Sequence, residues 1–257
     1  MNTKAAVPVL GGCITPLDLD GTVSLLMETV KRRQRGYFCI ANVHTTTLAL
    51  RDDRFRKVLD GAAAVVADGM PVVWRVRAAG HPHAGRVHGA DLVEATCAAG
   101  IAAGLYHGFF GGLEGVAEAM VANLRQRHPA LRIAGVWSPG VIHTGEASPA
   151  PLLDAINASN CDILWVGLGA PKQELWMAQH RSQLQIPALA AVGQAFDILA
   201  GRTVRAPDWM GRHGLEWLYR LAGNPRRLWK RYLVYNSLFL WHLLLERLGH
   251  NSHTSST

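Results

Sequence analysis

Cys161-Asp-Ile-Leu-Trp-Val-Gly-Leu-Gly-Ala-Pro-Lys-Gln-Glu174 carries the pattern from which the rest of the chain can be read. Ile163 to Val166 is a short apolar run bounded by turn residues, which suits a buried strand of a parallel sheet. Gly167 and Gly169 break the run. Pro171 suits the first turn of a following helix, where a missing N–H costs nothing and φ is already helical. The loop then points free backbone N–H groups, backed by the helix dipole, at whatever lies above the strand, a setting that favours a phosphate or another anion. Gly-x-Gly after a strand also serves as plain turn geometry. Lys172, Gln173 and Glu174, clustered directly past the glycines, argue for a ligand.

The same unit of apolar strand, polar turn and helix recurs on both sides of this stretch. Upstream, Tyr37 to Ala41 runs into Asn42-Val43-His44-Thr45-Thr46-Thr47, read as a polar turn, with a helix over Arg51 to Lys57. Ala63 to Ala67 ends in Asp68-Gly69-Met70-Pro71, and Arg86-Val87-His88-Gly89-Ala90-Asp91 leads into a helix at Leu92. Leu105 to Phe110 is followed by a second glycine loop and a helix over Val116 to Arg127. Leu131 to Trp137 is a further strand, and Ser138 to Pro151 is the most loop-like segment. Downstream, Ala188 to Val192 ends in Gly193-Gln194-Ala195-Phe196-Asp197. This alternation predicts an α/β fold, a Rossmann-like, mostly parallel sheet with helices on both faces. Polar residues at the carboxyl ends of such strands are where these sheets bind ligands.

Asp68 is the carboxylate best suited to act as a base, since it stands beside Gly69 with apolar residues on either side. Its structural alternative is to cap the helix that Pro71 begins. Asp18 and Asp20 have the spacing of a metal-holding pair, but they open a helix, where capping is the commoner use. No metal site is assigned.

The net charge of +7 over 257 residues is unevenly placed. From Arg202 onward nine Lys or Arg face Asp208, Glu216 and Glu246, a net of +6, which leaves +1 for the first 201 residues. The division predicted is an α/β core over 1–201 and a basic, helical, amphipathic appendage over 202–257. Its last helix, running to about Leu248, is apolar from Tyr232 to Leu245, too short to cross a bilayer but suited to lie on one with Trp229, Phe239 and Trp241 at the interface. Four scattered cysteines suggest a reduced, cytoplasmic protein, and Met1 to Gly12 resembles neither a secretory signal nor an anchor.

Seven segments in order resemble the WecG/TagA/CpsF family of bacterial glycosyltransferases: Asn42-Val43-His44-Thr45, Ala67-Asp68-Gly69, Arg86 to Asp91, Val166 to Glu174, Val192 to Asp197, Arg205-Ala206-Pro207 and Glu216 to Leu221. The resemblance implies an inverting transfer of a hexose or N-acetylhexosamine-type sugar from a UDP-sugar to a polyprenyl-diphosphate-linked monosaccharide. The new linkage would be β, made in cell-surface or exopolysaccharide assembly. It also implies a peripheral location at the cytoplasmic face of the inner membrane. Asp68 matches the family's proposed base, and Thr45 the threonine of its Asn-x-x-Thr-like segment, which begins at Asn42. Arg86, Gln173 and Asp197 match positions around the sugar nucleotide. Arg220 and Arg227 match appendage arginines that would meet the lipid diphosphate. No cofactor or metal is expected, because arginines and helix N-termini can meet the departing UDP. The expected partners are the UDP-sugar, the lipid-linked acceptor and an anionic inner leaflet, with no nucleic acid. A homo-oligomer stays open.

Two rival readings are another nucleotide-dependent α/β enzyme, such as a dehydrogenase, and a non-catalytic lipid or nucleic-acid binding protein. Against the first, no Gly-x-Gly-x-x-Gly follows a strand with an acidic residue at the expected distance. Against the second, polar residues repeatedly top the strands.

Overall fold

The structure, a computed structural model, describes residues 6–140 and 142–247. Its centre is a six-stranded parallel sheet of order β4-β3-β8-β7-β5-β6, formed by β3 (Gly36–Ala41), β4 (Ala64–Ala67), β5 (Tyr106–Gly111), β6 (Arg132–Trp137), β7 (Ile163–Gly167) and β8 (Ala188–Ala191). β4, β7 and β8 are apolar throughout apart from the closing Gly167, because helices cover both faces.

Connections toward the β4 edge cross one face: α2 (Val43–Arg51) and α3 (Asp53–Asp60), α7 (Ala150–Asn157), and α8 (Lys172–His180). Connections toward the β6 edge, through α5 (Gly89–Ala102) and α6 (Val116–Arg127), cross the other, where α1 (Leu19–Lys31) and α9 (Ala195–Leu199) also lie. A single crossover hand produces this pattern. All six strands therefore present their carboxyl ends, and the turns after them, at one edge.

Several local expectations change. Residues Val7–Val9 (β1) and Gly12–Ile14 (β2) form a hairpin that no sequence signal predicts. The turn expected over Asn42 to Thr47 is the start of α2, because Asn42 and Thr45 build a reciprocal capping box. Asp18 does cap α1, accepting from the Gly21 N–H at 2.8 Å. Asp68 does not cap α4 (Met70–Ala78): Gly69 is its N-cap, without a side-chain bond, and the Asp68 carboxylate is engaged elsewhere. The loop residues Ile142 and Ser148 are fastened to α8. Lys172 Nζ donates to the Ile142 carbonyl, Trp176 Nε1 to Ser148 Oγ, and the Ser148 N–H to His180 Nε2.

After α10 (Asp208–Arg212) and α11 (Glu216–Gly223), the C-terminal helix is broken into α12 (Pro225–Trp229), a π-helical turn (Lys230–Val234) and α13 (Tyr235–Arg247). Its predicted end at Leu248 lies outside the described residues. α13 packs on α2, with the His44 and Tyr235 rings edge to face at 4.5 Å. Phe239 is 2% exposed and belongs to the core, so it is not an interfacial side chain. Leu233, Leu240, Trp241 and Leu244 stay exposed. No helix among the described residues is long and apolar enough to cross a membrane.

Candidate active site

Four charged side chains meet beside the carboxyl end of β4. The Asp68 N–H donates to the Ala41 carbonyl at 2.8 Å, which fixes this residue against the end of β3. The Val87 N–H donates to the Ala67 carbonyl at 2.7 Å and so lays residues 86–88 along the same strand end. Arg86 Nε then reaches both the Asp68 carbonyl at 2.8 Å and its Oδ1 at 3.1 Å. Arg86 Nη2 donates to Glu216 Oε2, and the other Glu216 oxygen accepts from Arg220 Nη2. Glu216 and Arg220 lie on α11 (Glu216–Gly223), so this chain of ion pairs ties the sheet edge to the C-terminal segment.

The cluster is largely shielded, with Asp68, Arg86 and Glu216 side chains at 18, 20 and 14% exposure. Burial pulls the Arg86 pKa down, but Asp68 and Glu216 outweigh it and hold the guanidinium above its ordinary value. Burial likewise raises the Glu216 pKa, and Arg220 and Arg86 more than reverse this, keeping it ionised. His88 is pushed below its usual range by burial, and its Nδ1 has no hydrogen-bond partner among the described residues. Arg205 forms a two-pronged pair with Asp91 at 2.6 and 2.7 Å. A cavity of about 630 Å³ opens here, lined by Arg77, Arg86, Arg205, Arg212 and Glu216 among others.

Asn42 stands next to this cluster: a methyl group added at Gly69 would lie 3.5 Å from its Cβ. Asn42 Oδ1 accepts from the His44 and Thr45 N–H groups. The Thr45 hydroxyl accepts from the Asn42 N–H at 2.8 Å and donates to its carbonyl at 3.0 Å. Thr45 is 1% exposed, its hydroxyl committed to the cap.

The glycine loop after β7 forms a second group. Gly167 lacks a Cβ because one would lie 2.8 Å from the Phe196 ring, and Gly169 turns the chain with φ of 77°. The Gly169 N–H donates to Gln173 Oε1 at 3.1 Å, while Gln173 Nε2 donates to Glu174 Oε1 at 2.9 Å. Gln173 is 4% exposed. Gly193 abuts it: a methyl group added there would fall 3.5 Å from Oε1. Asp197 lies in α9, its carbonyl accepting from the Arg202 and Thr203 N–H groups. No hydrogen bond or ion pair between described residues joins Gln173 or Asp197 to the Asp68 cluster. The two groups meet through backbone, since a methyl at Gly89 would strike the Val192 carbonyl at 2.6 Å. Arg227 is placed on α12 by its backbone; its side chain lies outside the described residues.

A family model described as the glycosyl transferase WecG/TagA/CpsF family matches residues 7–253. The chain belongs to that family. As a member of the WecG/TagA/CpsF family it is a glycosyltransferase, which sets aside the dehydrogenase and the non-catalytic readings. It is similar to the N-acetylglucosaminyldiphosphoundecaprenol N-acetyl-β-D-mannosaminyltransferase of Bacillus spizizenii, with 30% identity over 217 residues, 84% of this chain and 82% of that protein. A protein of the same description from Bacillus subtilis is 29% identical over 185 residues, 72% of this chain and 70% of its own length. Among the residues at the family's Asp68 edge, sequence reasoning assigned no role to Glu216. The available signal was its place four residues before Arg220, the helical spacing of an ion pair.

Proposed function

We propose that this glycosyltransferase moves N-acetylmannosamine, or a closely related sugar, from a UDP-sugar to N-acetylglucosamine carried on a polyprenyl diphosphate, with inversion to a β linkage. The relatives' names support the acceptor and the sugar. The observation that carries the reading is Asp68, held at a strand end by Arg86 beside an arginine-lined cavity.

In this reading the Asp68 carboxylate takes the proton of the acceptor hydroxyl. The hydroxyl oxygen bonds to the anomeric carbon as the bond from that carbon to the UDP phosphate oxygen breaks on the opposite face. UDP leaves with the electron pair, and Arg86 and Arg220 meet its charge without a metal. Asn42 and Thr45 shape the wall beside the base, and Gly167, Gly169, Gln173 and Asp197 form the floor under the nucleotide. Residues 202–257 act as the appendage that admits the lipid, with Arg227 toward its diphosphate. The exposed stripe of Leu233, Leu240, Trp241 and Leu244 rests on the anionic cytoplasmic leaflet.

Product analysis tests the proposal. The chain is incubated with N-acetylglucosaminyl-diphosphoundecaprenol and a panel of UDP-sugars. The expected product is a β-linked disaccharide lipid formed fastest from UDP-N-acetylmannosamine. Transfer from none of the panel overturns it. Flotation with anionic vesicles checks the membrane role, which an absence of co-flotation contradicts.

A further inference from the structure

The two arginines that the proposed function assigns to a diphosphate are already held by a carboxylate of this chain. Glu216 sits at the start of α11 and divides its oxygens between them, Oε2 to Arg86 and Oε1 to Arg220. Arg86 comes from the sheet edge and Arg220 from the C-terminal segment, so this one carboxylate sets their spacing. Asp68, Arg86, Glu216 and Arg220 together are charge-balanced. A diphosphate reaching for Arg86 and Arg220 would meet guanidiniums already paired, and would lie against the like charge of Glu216 in a shielded site. The adjoining cavity, lined by Glu216 and Arg86, gives the side chain somewhere to turn.

We propose that Glu216 is a resident anion, which holds Arg86 and Arg220 in register while the site is empty and yields them to the diphosphate of a substrate. It is a positioning residue, and touches no reacting atom. The inference rests on the proposed function only for the nature of the incoming anion.

Calorimetric titration of the full chain with inorganic pyrophosphate at fixed ionic strength tests the exchange. Glu216→Gln keeps the shape but removes the charge and one of the two acceptor oxygens, so at most one of the two guanidiniums keeps a bond to it. Pyrophosphate should then bind about tenfold more tightly, a difference of about 1.4 kcal/mol. A residue that merely braces α11 predicts the opposite, since loosened arginines bind more weakly; equal or weaker binding overturns the proposal. Thermal unfolding checks that the variant is folded. If it is not, Glu216→Asp, one methylene too short to span both arginines, should also tighten binding, and its failure to do so overturns the exchange as well. The titration contains no sugar or lipid, so its outcome is separate from that of the transfer assay. Pyrophosphate binding to neither the unchanged chain nor the variants sinks the exchange, whereas absent sugar transfer sinks the proposed function alone.

Discussion

The loops after β4 and β7 stand at the same edge of one sheet and are built in opposite ways. After β4, long charged side chains from three parts of the chain hold one another: Asp68, Arg86, and the α11 pair Glu216 and Arg220. After β7, the loop is held by its own backbone and by Gln173 four residues on, with Phe196 closing the space over Gly167. Ion pairs between flexible side chains can be exchanged for a ligand's charges, whereas a loop packed under an aromatic ring keeps one shape. The first region is therefore equipped to handle charge during reaction, and the second to present a fixed surface.

Substitutions should separate the two in kind. The largest effect is expected from Arg86→Gln, which removes the guanidinium shared by Asp68 and Glu216: transfer should fall about 10²-fold, measured as initial rates of UDP release. A change of only a few-fold would break the contrast. In the glycine loop the effect should appear as stability. Gly167→Ala forces a methyl against Phe196, costing about 1–3 kcal/mol in urea unfolding, and an unchanged midpoint would mean that the loop is not packed as described. Gln173→Leu removes the two hydrogen bonds that this side chain makes, from the Gly169 N–H and to Glu174 Oε1, for roughly 1 kcal/mol by the same measurement.

Glu216 adds a pH signature. Its folded pKa lies below the ordinary carboxylate value, so its contribution to stability is complete above about pH 5 and is lost as pH falls through the lowered value. The difference in unfolding midpoint between the chain and Glu216→Gln should therefore close on acidification; a constant difference would show that its charge is not coupled to folding. The smallest effect is expected from Arg205→Lys. This pair is about one-third exposed on both sides, and loss of its second prong should cost under about 1 kcal/mol.

Much of this edge was legible in the sequence because short apolar runs ending in single polar residues have one common meaning, a buried parallel strand opening onto a ligand edge. Ala64–Ala67 before Asp68 and Ile163–Gly167 before Gly169 are of that kind. The β1–β2 hairpin was not legible, since strands of three residues each bury only alternate positions and show no usable period. α2 was missed because three successive threonines argue against a helix, and its cap and the burial of all three override that propensity. The link between Arg86 and Glu216 spans 130 positions, so no local pattern could display it. Phe239 looked like one more apolar residue on an amphipathic helix, and only its burial in the core distinguishes it from exposed Leu240 and Trp241.

The most direct test is the rate of sugar transfer to N-acetylglucosaminyl-diphosphoundecaprenol by Asp68→Asn, with the unfolding midpoint and UDP affinity measured alongside. With both of these near those of the unchanged chain, turnover should drop by about 10²-fold or more. Turnover within a few-fold of the unchanged chain would contradict Asp68 as the base and, with it, the division of labour between the two loops.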